Sequence, residues 1–241
     1  ALYQTIYRWS FSDLWVSEPG YIYDRAGDMG SMRKGAYVHA PDEPATGMTW
    51  LDAVAWCNAL SEKESRQPVY YINPACTAVF RIPRERRFSA QANALSNNNL
   101  RVYVKWDADG YRLPAMAEWI SAAGTAPVPV STATQTMPVA SGATNEFGVY
   151  HMLGNVWEYC WDCPGAYSNA VPPRHTVLGG DFNYPGSPET NAASPFGDTP
   201  IRGSHSVGLR VVRSATNLAP PLISVLASNG VDMTGVLLGV P

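Results

Sequence analysis

The chain has 241 residues and a formal net charge of −3, with 46% hydrophobic and 15% charged residues. The weak negative charge argues against a nucleic-acid binder held by phosphate contacts, and there is no run of about 18 apolar residues to predict a membrane span. The 8 tryptophans and 13 tyrosines can fill a sizeable core, while 20 glycines and 20 prolines predict many turns and irregular segments.

Four cysteines are too few for a disulfide-dense scaffold. The spacing Cys160-Trp-Asp-Cys163 allows a small disulfide or half of a metal site, but no second pair completes a four-cysteine zinc site. Cys57 falls on the apolar face of a predicted helix, so we expect it to be a small buried hydrophobe.

Hydrophobic periodicity places helices and strands along the chain. The clearest helix begins after Thr49, which can cap it together with Asp52 three positions later. The predicted elements are, in chain order, a strand at 7–15, a polar turn region at 24–35, a helix at 49–62, strands at 67–73 and 101–106, a second helix from Pro114 to Gly124, a surface loop at 125–143, a strand at 174–184, a loop at 185–204 and a strand at 207–214. The tail at 219–241 holds two apolar runs around Asn229-Gly230, which favour a hairpin or a segment that docks on a partner.

Residues 144–162, TNEFGVYHMLGNVWEYCWD, concentrate aromatic side chains around two glycines. His151, Asn155, Glu158 and Asp162 lie among those aromatics, so polar groups are expected in a mainly apolar setting. They either form a site or brace loops.

Four stretches together resemble the formylglycine-generating-enzyme (sulfatase-modifying factor) domain family. They are TWLDAVAWCNALSEKESRQPVYY at 49–71, GYRLPAMAEW at 110–119, FGVYHMLGNVWEYCWD at 147–162, and VLGGDF with VGLRVVR within 177–213. The resemblance implies an α+β fold of the C-type-lectin-like kind, with two helices, small twisted antiparallel sheets and long loops. It implies one domain over residues 1–214, with 215–241 as a C-terminal extension.

The enzymes of this family use copper to oxidise a substrate cysteine, and they hold it with two cysteines shortly after the Gly-Gly motif. Thiolates suit copper(I), which is a soft ion. Residues 181–206 contain no cysteine, so the comparison favours a non-catalytic member. A metal-dependent oxidoreductase that uses Cys160 and Cys163 is the alternative.

The resemblance also implies a calcium site as the one candidate cofactor site. Its ligands would be the backbone carbonyls of Gly154 and Val156 and the carboxylate of Glu158, with His151 standing where the family has an oxygen donor. The alternative for Glu158 is a buried carboxylate that accepts backbone hydrogen bonds within the loop.

Non-catalytic relatives include the variable proteins of diversity-generating retroelements, which bind through the segment after the Gly-Gly motif. By that resemblance the segment 181–206 is the predicted surface for a protein or surface ligand, because aromatic and small polar side chains suit adaptable contacts. The candidate contact residues are Asp181, Phe182, Asn183, Tyr184, Phe196, Asp198, Arg202 and His205. For Phe182 and Tyr184 a place in the core is an equal alternative.

The leading hypothesis is therefore a non-catalytic binding module that is extracellular or at the cell surface. A structural subunit of a homo-oligomer, filament or larger assembly is the alternative, with the apolar tail as its contact.

Overall fold

The computed structural model describes residues 2–10, 21, 28–29, 40–81, 102–125, 130–162, 175–183, 196–198 and 204–214. The helices in these ranges are α1 (Leu2–Ser10), α2 (Trp50–Lys63) and α3 (Met116–Ala123). The strands are β1 (Asp28–Met29), β2 (Ala45–Thr46), β3 (Tyr70–Tyr71), β4 (Tyr103–Val104), β5 (Tyr111–Arg112), β6 (Trp157–Tyr159), β7 (His175–Leu178), β8 (Phe196–Asp198), β9 (Val207–Leu209) and β10 (Val212–Arg213). Short strands and long connections confirm the predicted loop-rich α+β class, but the described residues form three helices where two were predicted.

The helix α2 lies at the centre of the main core. Thr49 and Asp52 form the predicted capping box, in which each side chain accepts a 3.0 Å hydrogen bond from the backbone N–H of the other. Residues 50–61 are buried on every side rather than along one face, since α1, β3 and β5 all pack around the helix. Inside this core Asn58 donates to the carbonyls of Tyr70 and Phe80 and so ties the helix to β3.

The strand predicted from the alternation at 7–15 is wrong for its first part, because residues 2–10 form α1. Tyr3, Ile6 and Ser10 are buried at helical spacing, and the Tyr3 ring stacks on Trp56 of α2 at 5.3 Å between ring centroids. Packing against α2 therefore decides the conformation, since burial of one helical face outweighs a short period-two pattern. The rest of the predicted strand, 11–15, lies outside the described residues.

The largest sheet has the strand order β8-β7-β6-β9. The pairs β8–β7 and β7–β6 are antiparallel, whereas β6 and β9 are parallel, with Trp157 opposite Val207 and Tyr159 opposite Leu209. The three other sheets are two-stranded and antiparallel: β1–β2, β3–β4 and β5–β10. Strand β9 also contacts β2, so the sheet joins the two ends of the domain.

Three predicted boundaries need correction. Strand β8 lies inside 185–204, which was predicted to be loop throughout. The predicted single strand at 207–214 is divided into β9 and β10, which pair with different sheets, because Arg210 between them turns toward Glu158. Helix α3 begins at Met116 rather than Pro114, since the Glu118 side chain accepts the N–H of Ala115 and closes the first turn there.

Other predictions agree with the structure where it describes the chain. Strands are present within 67–73, 101–106 and 174–184, and Gly124 ends α3 with a positive φ of 85°. The tail 215–241 and most of 24–35 lie outside the described residues. Of the helices that the structure describes, none is long and apolar enough to cross a membrane.

Candidate functional site

A buried ion pair lies where the sequence concentrates polar groups among aromatics. The Arg210 guanidinium donates to both carboxylate oxygens of Glu158, at 2.8 and 2.7 Å, and Trp119 Nε1 donates to the same carboxylate at 2.7 Å. Arg210 also donates to the carbonyl of Tyr150 at 3.0 Å. The Glu158 charge raises the pKa of Arg210 despite the burial of the guanidinium. The four residues come from α3, β6 and the loops beside it, so the cluster holds distant segments together.

The two side chains predicted at the calcium site, Glu158 and His151, are engaged by other partners. Both oxygens of Glu158 are engaged by Arg210 and Trp119, and Arg210 already supplies the neutralising positive charge. The Nε2 atom of His151 lies 3.1 Å from the carbonyl oxygen of Pro138 and 3.3 Å from Ser141 Oγ. Across the described part of the chain no three His, Cys, Asp or Glu side chains cluster as metal ligands. Glu158 is buried, as the alternative predicted, but its donors are the side chains of Trp119 and Arg210 rather than the backbone of its own loop.

The cysteines that the structure describes do not offer a reactive thiol in this region. Cys160 directly follows the last residue of β6, and its free thiol is fully buried. Burial raises the pKa of Cys160, and the nearby carboxylates of Asp162 and Glu158 raise it further. A thiol that stays protonated is a poor nucleophile and a poor metal ligand. Cys57 is buried as predicted, and burial raises its pKa in the same way. Cys163 lies outside the described residues.

His175 belongs to an aromatic cluster rather than to an acid–base site. Its ring stacks on Trp50 at 3.6 Å between centroids, and its Nδ1 donates to the carbonyl of Trp161 at 3.0 Å. Burial lowers the pKa of His175 to about 4, although the hydrogen bond to Trp161 opposes the shift. Burial thus favours the neutral imidazole, and the half-buried ring packs against Trp50 and Trp161.

The predicted contact residues divide into a buried base and an exposed rim. Asp181 and Phe182 are both 3% exposed, so neither forms part of an exposed surface in this structure. The Asp181 carboxylate accepts from the backbone N–H and the side chain of Asn183, at 3.0 and 2.7 Å. Phe182 faces the ring of His205 at 6.4 Å between centroids. Asn183 and His205 are exposed.

The remaining four contact residues are described in part. Phe196 and Asp198 lie in β8, which is described by its backbone pairing with β7. Tyr184 and Arg202 lie outside the described residues. The structure therefore brings together the two ends of the segment 181–206, at Phe182 and His205, and attaches its middle to the sheet through β8.

Backbone hydrogen bonds to Asn155 and Gly47 hold the two ends of this segment, and the sequence analysis did not predict this role for either residue. The carbonyl of Asn155 accepts from Phe182 N at 3.1 Å, while its side chain accepts from Met137 N at 3.0 Å and donates to Met137 O at 3.2 Å. At the other end, Gly47 N donates to Ser204 O at 2.9 Å. Asn155 has a φ of 67°, a conformation that asparagine tolerates better than most residues. The dipeptide Gly154-Asn155 is the sequence feature from which this turn could have been predicted.

A family profile described as "Sulfatase-modifying factor enzyme 1-like domain" matches residues 10–215. The match covers most of the chain. The protein belongs to the sulfatase-modifying factor enzyme 1-like domain family.

Relatives of this family member include a protein named as a chaperone. The chain is 28% identical over 222 residues to "Chaperone protein LppX" of Paenibacillus barcinonensis, covering 72% of this chain and 70% of that protein. The crystal structure of CarF has a TM-score of 0.68 and 26% identity, covering 88% of this chain and 82% of CarF.

A second structural neighbour shares the fold alone. Treponema denticola variable protein 1 has a TM-score of 0.56 and 19% identity, covering 71% of each chain. The expected C-type-lectin-like architecture of the family is thereby confirmed, and a variable protein shares it.

Proposed function

We propose that this family member is a non-catalytic module that binds a protein partner through the segment 181–206. The observation that carries the proposal is the division of that segment into a buried, pinned base and an exposed rim. Asp181 and Phe182 hold the base, while Asn183 and His205 lie exposed on either side of it. A rigid base that presents exposed side chains lowers the ordering cost of binding.

The composition of the segment supports a contact with protein. Between Asn183 and His205 it contains aromatic, small polar and basic residues, including Tyr184, Phe196 and Arg202. Aromatic side chains supply contact area at low entropic cost, and arginine is enriched in interface cores. The names of two similar proteins, a chaperone protein and a variable protein, fit a polypeptide partner better than a small-molecule substrate.

The side chains that could act in catalysis support the same proposal. The Glu158 carboxylate is hydrogen-bonded to Arg210 and Trp119, burial lowers the pKa of His175, and burial raises the pKa of the Cys160 thiol. The segment after Gly180 contains no cysteine, although the family's copper enzymes use two there. The oxidoreductase alternative predicts tight copper(I) binding and oxygen consumption with a cysteine-containing peptide, and neither is expected.

Site-specific photo-crosslinking in the producing cells tests the binding surface. A benzophenone amino acid is placed at Asn183, at His205 and, as a matched control, at Ala75, which is exposed in the turn after β3. Protein adducts are expected at the first two positions and not at the third. Substitution of Tyr184 and Arg202 by alanine should abolish the adducts without changing the circular dichroism spectrum. Equal labelling at all three positions, or adducts that survive the substitutions, would contradict the proposal.

A further inference from the structure

The two edges of the largest sheet differ. Strand β9 forms one edge and packs against β2: a Cβ added at Gly208 would project from the sheet face and lie 2.6 Å from the carbonyl oxygen of Ala45. Strand β8 forms the other edge, and no strand in the described ranges pairs with its outer side. An uncovered edge presents backbone donors and acceptors to solvent and can pair with another chain.

The hydrogen bonds of β7 show which groups of β8 point outward. Thr176 N donates to Asp162 O, and Thr176 O accepts from Cys160 N at 2.9 Å, so both backbone groups of Thr176 face β6. Gly197 lies opposite Thr176 on the other side. In an antiparallel pair, residues that direct their groups away from each other form a non-hydrogen-bonded pair. The N–H and C=O of Gly197 therefore point away from the sheet, at its open edge.

The sequence around β8 suits a short backbone contact. Gly197 has no side chain, and glycine in a strand often marks close approach by another backbone. Pro195 and Pro200 bracket the strand in the sequence SPFGDTP. Because proline has no N–H, it restricts pairing at an edge and opposes open-ended association of sheets. Among the strands that the structure describes, this edge is therefore unpaired over the 3 residues of β8.

We propose that an extended segment of the partner polypeptide pairs with β8 as a fifth strand, through the outward N–H and C=O of Gly197. This inference rests on the proposed function and names the chemistry of the partner: an unfolded or extended stretch of chain recognised mainly by its backbone. In such strand addition the main chain supplies affinity, while side chains around it supply selectivity. Asn183 and His205 are the described exposed residues of the same segment, 181–206.

A pair of variants at one position tests the inference. Gly197→Pro removes the outward N–H without removing a β7–β8 hydrogen bond, and Gly197→Ala keeps that N–H. The probe is a set of peptides selected on the wild-type protein from a random dodecapeptide library and measured by fluorescence anisotropy. We expect Gly197→Ala to bind as wild type does and Gly197→Pro to bind about threefold to tenfold more weakly, as for the loss of one backbone hydrogen bond.

Hydrogen exchange of the wild-type protein gives a readout that needs no variant. The Gly197 amide should exchange rapidly in the free protein and become protected when a selected peptide is added. Failure to select any peptide, equal binding by Gly197→Pro, or an unprotected Gly197 amide would overturn the inference. If the Asn183 and His205 crosslinks to a partner persist in any of those cases, the proposed function stands. If the crosslinks are lost as well, both fail.

Discussion

Replacing Arg210 by leucine tests whether an internal cation, rather than calcium, neutralises Glu158. The substitution removes two hydrogen bonds to the carboxylate and one to the carbonyl of Tyr150, leaving only Trp119 Nε1 as a donor. Breaking a buried ion pair by removing one partner costs about 3–5 kcal/mol. The Glu158 side chain is 8% exposed and that of Arg210 is 28% exposed, so the lower end, about 3 kcal/mol, is expected.

Urea denaturation followed by tryptophan fluorescence measures this loss. The matched control is Arg66→Ala, which breaks pairs with Glu64 and Asp109, whose side chains are 42% and 36% exposed compared with 8% for Glu158. An exposed pair of this kind is worth less than about 1 kcal/mol. Combining Arg210→Leu with Glu158→Gln should recover part of the loss, because the remaining side chain is then neutral. Equal losses for Arg210→Leu and Arg66→Ala would refute the reasoning.

The same assay tests calcium directly. A site whose dissociation constant is 100-fold below the added calcium would raise the free energy of unfolding by about 2.7 kcal/mol. We expect no difference between excess calcium and chelator for the wild-type protein. A stabilisation of that size would show that Gly154, Val156 and Glu158 bind the ion despite the engaged carboxylate.

Four further predictions concern the cap of α2, a glycine with a positive φ, the accessibility of two cysteines and the protonation of His175. Thr49→Ala should lower the free energy of unfolding by about 0.5–2 kcal/mol through loss of the capping box, whereas an unchanged urea midpoint would show that the cap contributes nothing. Gly179→Ala should destabilise strongly, since φ is 98° and the new Cβ would lie 2.9 Å from a backbone oxygen, and wild-type stability would contradict that geometry. Alkylation mapped by mass spectrometry at pH 8 should label the partly exposed Cys76 and spare Cys160 until the protein unfolds; early labelling of Cys160 would show that its thiol is accessible. Folding lowers the pKa of His175 to about 4, so as the pH drops the imidazole is protonated in the unfolded chain before it is protonated in the folded one, and the free energy of unfolding should fall between about pH 6.5 and pH 4. His175→Phe should flatten this pH dependence, and an unchanged pH dependence would show that other groups cause it.

Local sequence patterns were sufficient where a local interaction determines the conformation. The capping box at Thr49 and Asp52 predicts the start of α2, and Gly124 predicts the end of α3, because both depend on contacts within a few residues. The strand predicted from the alternation around Tyr7 and Trp9 is wrong, because contact with α2, about fifty residues away, stabilises a helix there.

The candidate site was predictable by segment but not by residue. The family resemblance identified 181–206, yet it did not distinguish exposed from buried members. Phe182 is buried because Asn155 anchors its backbone and the His205 ring covers it, and both partners are remote in sequence. The role of Glu158 depended on Arg210, 52 residues away, a pairing that no local pattern reveals. Extracellular location and assembly into oligomers stay predictions.

The parallel pairing of β6 with β9 sets the order in which this domain can fold. Trp157 pairs with Val207 across about fifty residues, and β9 also contacts β2 near residue 45. Neither contact can form until the ribosome has released nearly the whole domain, and contacts between distant residues close slowly. The capped helix α2 can form early, but the sheet that bears the segment 181–206 is completed only after β9 has been synthesised. A chain that ends before Leu209 should therefore remain an incompletely folded intermediate with its main core exposed.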